Sequence, residues 1–314
     1  MKWIKKGLIF DPKNNQTSWI RNYASVPVCD LISDELLRIY FSTRDEQGRS
    51  ILTYLETSPA NPNNIITIMK SPILQLGEMG TFDDNGIMPS CVVDNNGLKY
   101  LYYIGWNPQK TVSYRLSIGL AISKDGGLTF KKYSTGPILD RDIDEPYFNT
   151  TPFVLKEGGL WKMWYVSCTK WEIINDWPEP FYHIKYAESQ DGINWFRKNI
   201  VCLDYDDFSD GFAKPFVFKE KDIYKMFYSF RSAKSYRTDL KKSYRLGYAE
   251  SQDGINWIRK DNKLNLGISQ KGWDSNMIEY PSSYVVNNKR YLVYNGNKFG
   301  ESGIGYAVLK DEKE

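Results

Sequence analysis

Ten consecutive residues occur twice in this chain. Tyr186–Trp195 reads YAESQDGINW, and Tyr248–Trp257, 62 residues later, reads the same. The match runs on into FRK after the first copy and IRK after the second, and a looser version stands at Leu120–Phe130, LAISKDGGLTF. A further copy starts at Tyr306-Ala307. An internal period of this length marks stacked or radially arranged structural units rather than one irregular core.

Aligning the copies exposes five units. Each has an apolar run carrying one proline, and Pro27, Pro89, Pro152, Pro215 and Pro281 recur at steps of 62, 63, 63 and 66 residues. A turn follows (DNNG, KEGG, KEKD, VNNK), then an aromatic run (LRIYFSTR, KYLYYIGW, LWKMWYVSC, IYKMFYSFR, RYLVYNGN). A third run precedes the SxDG turn, and a fourth starts near its closing Trp or Phe. Turn-bounded apolar runs at this spacing predict four antiparallel strands per unit. No convincing amphipathic helix interrupts them. The expected fold is therefore all-β, a five-bladed β-propeller formed by residues 1–314 as one domain. Unit five ends after its third strand, whereas the N-terminal WIKKGLIFD resembles the fourth-strand opening WFRKNIVCLD. Residues 3–10 are thus expected to complete the last blade and close the ring without an exposed sheet edge.

Composition narrows the function classes. Aromatic residues make up 15% of the 314, with 23 Tyr and 10 Trp, which suits strands and surfaces that meet flat or sugar-like ligands. The net charge is only +3, so neither a nucleic-acid nor a membrane partner is expected. The N-terminus lacks the apolar core of a signal peptide, no transmembrane run is present, and a cytoplasmic location is expected. Cys29, Cys91, Cys168 and Cys202 lack metal spacing and read as free thiols. The single histidine, His183, excludes a His-rich site and reads as structural. No cofactor is expected, and no acidic cluster predicts a metal.

Inner strands of a propeller line its central channel, so the proline register locates the candidate site. Two positions before the proline stand Ser25, Ile87, Thr150, Ala213 and Glu279, and one before stand Val26, Met88, Thr151, Lys214 and Tyr280. Five before stand Asn22, Asp84, Tyr147, Asp210 and Asn276. Ends of the second strands supply Arg44, Trp106, Cys168, Arg231 and Asn297. Antiparallel pairing returns these ends to the mouth where the first strands begin.

Glu279 is the sharpest candidate, because a carboxylate inside an apolar strand is costly unless paired, and burial raises its pKa towards that of a general acid. A salt bridge to Lys214 or an arginine is the competing structural explanation. Asp84 and Asp210 are the candidate base or nucleophile, although Asp and Gly before a strand are also ordinary turn chemistry. Arg21, Asn22, Arg44, Trp106, Asn149, Lys214, Arg231 and Asn297 are candidate substrate-binding residues. Converging guanidinium groups suit a carboxylate or phosphate, and Trp106 or Trp171 suits a sugar ring. The SxDG turns read as structural, with Asp191 and Asp253 binding local N–H groups, Gly192 and Gly254 taking positive φ, and Trp195 and Trp257 packing between blades. Ser123–Phe130, SKDGGLTF, resembles the Asp-box of sialidases.

Five units, Glu279-Tyr280-Pro281 as E-x-P on an inner strand, and repeated YAxSxDGxxW resemble the five-bladed glycosidase superfamily, which includes glycoside hydrolase families 32, 43, 62, 68 and 130. The resemblance spans nearly the whole chain. It implies a carbohydrate-active enzyme whose ligand is a carbohydrate or sugar nucleotide, with Glu279 matching the E-x-P acid. The family's first-blade Asp-Pro is replaced by Val26-Pro27, and its second-blade Ala-Pro-Asp by Met88-Pro89-Ser90. Three readings follow: cleavage or transfer of a glycosyl group, non-catalytic sugar binding, and catalysis on an anionic sugar or sugar nucleotide. Sequence sets neither the sugar nor the oligomeric state.

Overall fold

The computed structural model describes residues 1–15, 17, 19–206 and 209–310. The chain is built of antiparallel strands. β1 (Trp3–Phe10) precedes a first unit of β2 (Asn22–Leu31), β3 (Leu37–Arg44), β4 (Ser50–Ser58) and β5 (Asn61–Ile68). The next is β6 (Ile87–Asn95), β7 (Leu98–Pro108), β8 (Tyr114–Ser123) and β9 (Lys131–Lys132). Then come β10 (Asn149–Glu157), β11 (Leu160–Ile174), β12 (Trp177–Ser189) and β13 (Phe196–Leu203), followed by β14 (Gly211–Glu220), β15 (Ile223–Arg231), β16 (Arg245–Ser251) and β17 (Ile258–Arg259). β18 (Glu279–Val286), β19 (Lys289–Asn295) and β20 (Ile304–Leu309) end the series. β1 pairs antiparallel with β20, so the N-terminal strand completes the last unit. The third and fourth units are joined by one bridge, Tyr182 to Gly211. The first strands touch in cyclic order, β2 to β6, β10, β14, β18 and back to β2, and this is the ring of a β-propeller.

Local chemistry explains the hairpins. Four first-to-second-strand turns have two central residues, both at positive φ: Asn96-Gly97, Gly158-Gly159, Lys221-Asp222 and Asn287-Asn288. Such turns match the right-handed twist of the strands they join.

The conserved spacing of aromatic residues on the second strands fastens unit to unit. Tyr40 donates its hydroxyl to the Gly127 carbonyl at 2.9 Å, Tyr102 to Gly192 at 2.8 Å, and the Trp164 indole N–H to Gly254 at 2.7 Å. Each acceptor lies in the SxDG turn of the following unit. Phe227 occupies the next such position and packs edge-on against Trp3 of β1, with centroids 5.9 Å apart. Tyr291 and its neighbour Tyr284 close the circle by donating to the Ala60 and Pro59 carbonyls of the first unit, at 3.2 and 2.8 Å.

The inner prolines have a second consequence. Every unit carries a register shift at its proline, which spans it between Ser25 and Val28, Thr150 and Phe153, Ala213 and Phe216, and Glu279 and Ser282, and follows it between Pro89 and Cys91. In four units the residue before the proline has left-handed φ: Val26 at 54°, Thr151 at 43°, Lys214 at 48° and Tyr280 at 57°. For β-branched Val26 and Thr151 this backbone is strained. A bulge of this kind re-aims side chains, here at the centre of the ring.

Candidate functional site

First-strand starts and second-strand ends do meet: Asn22 pairs with Arg44, Gly211 with Arg231 and Glu279 with Asn295. Around this mouth runs a belt of aromatic rings. The Arg44 guanidinium lies 5.2 Å from the Tyr23 ring and 4.9 Å from Trp106. Trp106 meets Tyr114 edge-on at 5.4 Å, and Tyr114 meets Trp171 at the same distance. Phe148 links Trp171 to Tyr182, at 5.8 and 6.1 Å. Tyr182, Tyr236 and Tyr244 surround Arg231, whose guanidinium carbon is 5.0, 4.1 and 5.7 Å from their ring centres. Tyr280 and Phe299 flank Tyr244 at 6.2 and 6.0 Å. The Phe299 carbonyl then accepts from Ser25, which returns the belt to the first unit.

Glu279 sits inside this belt, fully buried. Its Oε1 accepts from Asn295 Nδ2 at 3.0 Å, while Oε2 is buried without a partner. The Asn295 amide cannot turn round, because its Oδ1 accepts the Val26 N–H at 3.1 Å. Burial pushes the Glu279 carboxyl up to about 8, against the opposing pull of the Asn295 hydrogen bond and the Arg231 charge. At neutral pH this carboxyl therefore holds a proton.

Arg231, only 2% exposed, donates Nε to Tyr182 and Tyr244 at 3.0 and 3.1 Å and Nη2 to the Pro180 carbonyl at 3.0 Å. Its Nη1 is buried without a partner. Asp210 is nearby: its N–H donates to the Arg231 carbonyl at 3.1 Å and its carboxylate accepts from the Ala233 N–H. Burial raises the Asp210 pKa, opposed by that N–H and by Arg231. Burial lowers the Arg44 pKa, and Arg44 Nη1 donates to the Gly48 carbonyl at 2.8 Å. Asn149 is buried, donating to the Asp140 carbonyl at 3.1 Å, with its own Oδ1 unpartnered.

Other sequence candidates stand apart. Asp84 braces its own turn, accepting from the Gly80 N–H at 2.8 Å and from Asn107 at 2.6 Å. Arg21 is exposed and paired with Glu46. Asn22 is exposed at the strand start. Asn297 staples the preceding segment by accepting from the Asn276 and Met277 N–H groups at 2.7 and 3.1 Å. Among the described residues Glu279 forms no salt bridge with Lys214 or with an arginine, its bond being to Asn295, and the Lys214 ammonium donates instead to the Pro281 carbonyl. His183 hydrogen-bonds Asp204 at 3.2 Å away from the belt, and burial lowers its pKa. Trp171, by contrast, is part of the belt.

Sequence reasoning passed over Tyr23, Tyr114, Tyr182, Tyr236, Tyr244, Asn295 and Phe299. Only Tyr280 carried a signal, as the residue before an inner proline. Tyr236 arrives on the long connection between β15 and β16, outside the register of the units, whereas Tyr244 is the counterpart of Tyr182 at the 62-residue period and hydrogen-bonds it.

No family model matches the chain. Among solved structures, one described as a glycoside hydrolase superposes with a TM-score of 0.76 at 17% identity, covering 98% of this chain and 91% of that one. A glycosyl hydrolase from Bacteroides ovatus gives 0.68 at 17% identity over 100% and 91%, and a thermostable family-43 glycoside hydrolase 0.66 at 19% over 93% and 92%. The fold is thus the β-propeller of family-43-type glycoside hydrolases. At higher similarity, the uncharacterized protein Rv1502 of Mycobacterium tuberculosis (strain ATCC 25618 / H37Rv) is 35% identical over 312 residues, 99% of this chain and 100% of the relative. The chain belongs to the Rv1502 family.

Proposed function

We propose that the protein is a carbohydrate-active enzyme that cleaves or transfers a glycosyl group, with the five units as blades of one domain and Glu279 as general acid. One observation carries this reading: a buried carboxyl, protonated at neutral pH, with one oxygen fixed by Asn295 and the other unspent, inside a belt of aromatic rings. A general acid needs a proton at working pH, and aromatic faces suit the apolar faces of sugar rings. Asp210, beside Arg231, is the better second carboxylate, because both Asp84 oxygens are engaged, one by the Gly80 N–H of its own turn and the other by Asn107 of β7. The carboxyl separation in a substrate complex sets the outcome, roughly 5–5.5 Å for retention and 6.5–9.5 Å for inversion. Arg44 and Arg231 favour a substrate with a carboxylate or phosphate, such as an acidic sugar or sugar nucleotide. The glycoside hydrolases that share the fold support the reaction class.

The test is turnover across a panel of neutral and acidic glycosides and sugar nucleotides. Glu279→Gln keeps the acceptor for Asn295 and removes the proton, so turnover on a responsive substrate collapses while binding persists. Unchanged turnover in that variant would sink the assignment. A second reading, a non-catalytic sugar-binding propeller, is favoured by the replacement of the inner-strand Asp-Pro by Val26-Pro27. Saturable binding across the panel with no turnover in the wild type would establish it.

A further inference from the structure

Among the described residues three lysines are buried, and they are not alike. Lys99 is held by Asp30 and Asp94, each at 2.9 Å. Lys185 is held by Glu145 at 2.8 Å and Asn199 at 2.5 Å. Lys214, only 1% exposed, has no carboxylate partner among the described residues. Its ammonium makes one long hydrogen bond, to the Pro281 carbonyl at 3.3 Å. An ammonium carries three donors, and a buried charge without a counter-charge is strongly disfavoured.

Its position is as unusual as its lack of partners. The left-handed backbone at Lys214, on the β14 bulge, directs the side chain across the ring. The backbone N–H donates to Thr151 Oγ1 of β10 at 3.3 Å, and the ammonium reaches the Pro281 carbonyl of β18. The titratable groups that act on it are the thiols of Cys29 in β2 and Cys91 in β6. Thr151 of β10 thus meets the Lys214 backbone N–H and Pro281 of β18 its ammonium, while the thiols of β2 and β6 act on its charge, which places Lys214 at the axis where the inner strands meet. Neither thiol can serve as its counter-ion, since burial pushes Cys29 up to about 12 and Cys91 up to about 11, so both remain S–H. Burial lowers the amine itself to about 8, which still leaves it mostly charged at neutral pH.

We propose that the propeller axis at Lys214 is a binding site for a small inorganic anion of halide size. The Lys214 ammonium supplies both the charge and the free donors, since the Cys91 S–H already donates to the Val154 carbonyl at 3.6 Å and the Cys29 thiol is hydrogen-bonded with Ser282. A monatomic anion fits the chemistry because it makes no directional demand and neutralises the charge that the protein leaves bare. A sugar carboxylate or phosphate would bring several acceptor oxygens, and one ammonium does not satisfy them. The site is independent of Glu279 and of any turnover.

Two measurements on the full chain decide it. Chloride or bromide replacing gluconate at constant ionic strength is expected to raise the Tm of the wild type by several degrees, saturably, as a ligand of the folded state does. The exposed-lysine variant Lys198→Met should keep this response, and Lys214→Met should lose it. Bromide-soaked crystals of the wild type should show an anomalous peak within hydrogen-bonding reach of Lys214 Nζ, which decides the matter even if Lys214→Met does not fold. Equal Tm in halide and gluconate, or bromide found only on surface lysines, overturns the proposal.

Discussion

The outer rim and the inner mouth of this propeller spend their carboxylates in opposite ways. On the rim, Asp191 accepts the Ile193 and Asn194 N–H groups, both at 2.8 Å, and Asp253 does the same with Ile255 and Asn256. These N–H bonds, with the Asn256 bond largest, hold Asp253 far below the usual carboxylate range. At Asp191 burial acts upward, but the N–H bonds outweigh it and bring the group down to about 2. At the mouth, Glu279 Oε2, Arg231 Nη1, Asn149 Oδ1 and Thr150 Oγ1 are buried with nothing to bind. The rim aspartates repeat from unit to unit, whereas Glu279 does not. Repetition marks what every unit must do to hold its neighbour, and the unspent carboxyl oxygen of Glu279 marks what a single unit does alone.

The widest separation between the two regions should come from one pair of variants. Glu279→Gln is expected to lower kcat by about 10²–10⁴-fold, the usual worth of a general acid, without loss of stability. Asp253→Ala should leave kcat within a factor of two and cost about 1–2 kcal/mol in urea unfolding, from the loss of its N–H bonds. A matched fall in kcat for both would erase the distinction.

Stability against pH probes the mouth next. Glu279 has its folded pKa raised from 4.5 to about 8 by burial, so its contribution is intact below pH 4.5 and is lost as pH rises towards 8. Lys214 has its folded pKa lowered from 10.5 to about 8, so the penalty for burying its charge is full below pH 8 and lifts between 8 and 10.5. Together they place a trough of stability near pH 8, with limbs of roughly 3–5 kcal/mol at 1.36 kcal/mol per pKa unit. Glu279→Gln should flatten the acid limb and Lys214→Met the alkaline one. A flat profile from pH 5 to 10 in the wild type would contradict both assignments.

Sequence and structure agree where chemistry is periodic. The proline register fixed the five inner strands, and the likeness of WIKKGLIFD to WFRKNIVCLD identified the closing strand. The same register pointed to Glu279 and, through the second strands, to Arg231, Arg44 and Trp106, which the structure brings to the one mouth. It misdirected attention to Asp84, because the preceding Asp83 is the buried one, accepting from Tyr103 at 2.9 Å and pairing with Lys132 at 2.6 Å. It also placed Lys214 at the mouth. A left-handed residue before proline is not legible in composition or spacing, and that backbone decides where the lysine points. Tyr236 stayed hidden for a different reason: it lies on the long connection between β15 and β16, which the register of the units does not reach, whereas Tyr244 stands 62 residues after Tyr182, just ahead of the duplicated decapeptide, and hydrogen-bonds it.

The smallest expected effect concerns how the units are fastened. Tyr102→Phe removes only the hydroxyl that reaches the Gly192 carbonyl, while the ring keeps its edge-on contact with Trp195 at 6.1 Å. The buried carbonyl loses its side-chain donor, and a loss of about 1 kcal/mol follows, with kcat unchanged. Phe227 already lacks such a hydroxyl, and the turn it would have met is replaced by Trp3 of β1. Phe227→Tyr should therefore gain nothing, because no SxDG carbonyl stands opposite. If Phe227→Tyr stabilised the protein by as much as Tyr102→Phe destabilised it, the seam between the fourth and last units would be fastened like the others. The distinct role given to the N-terminal strand would then fall.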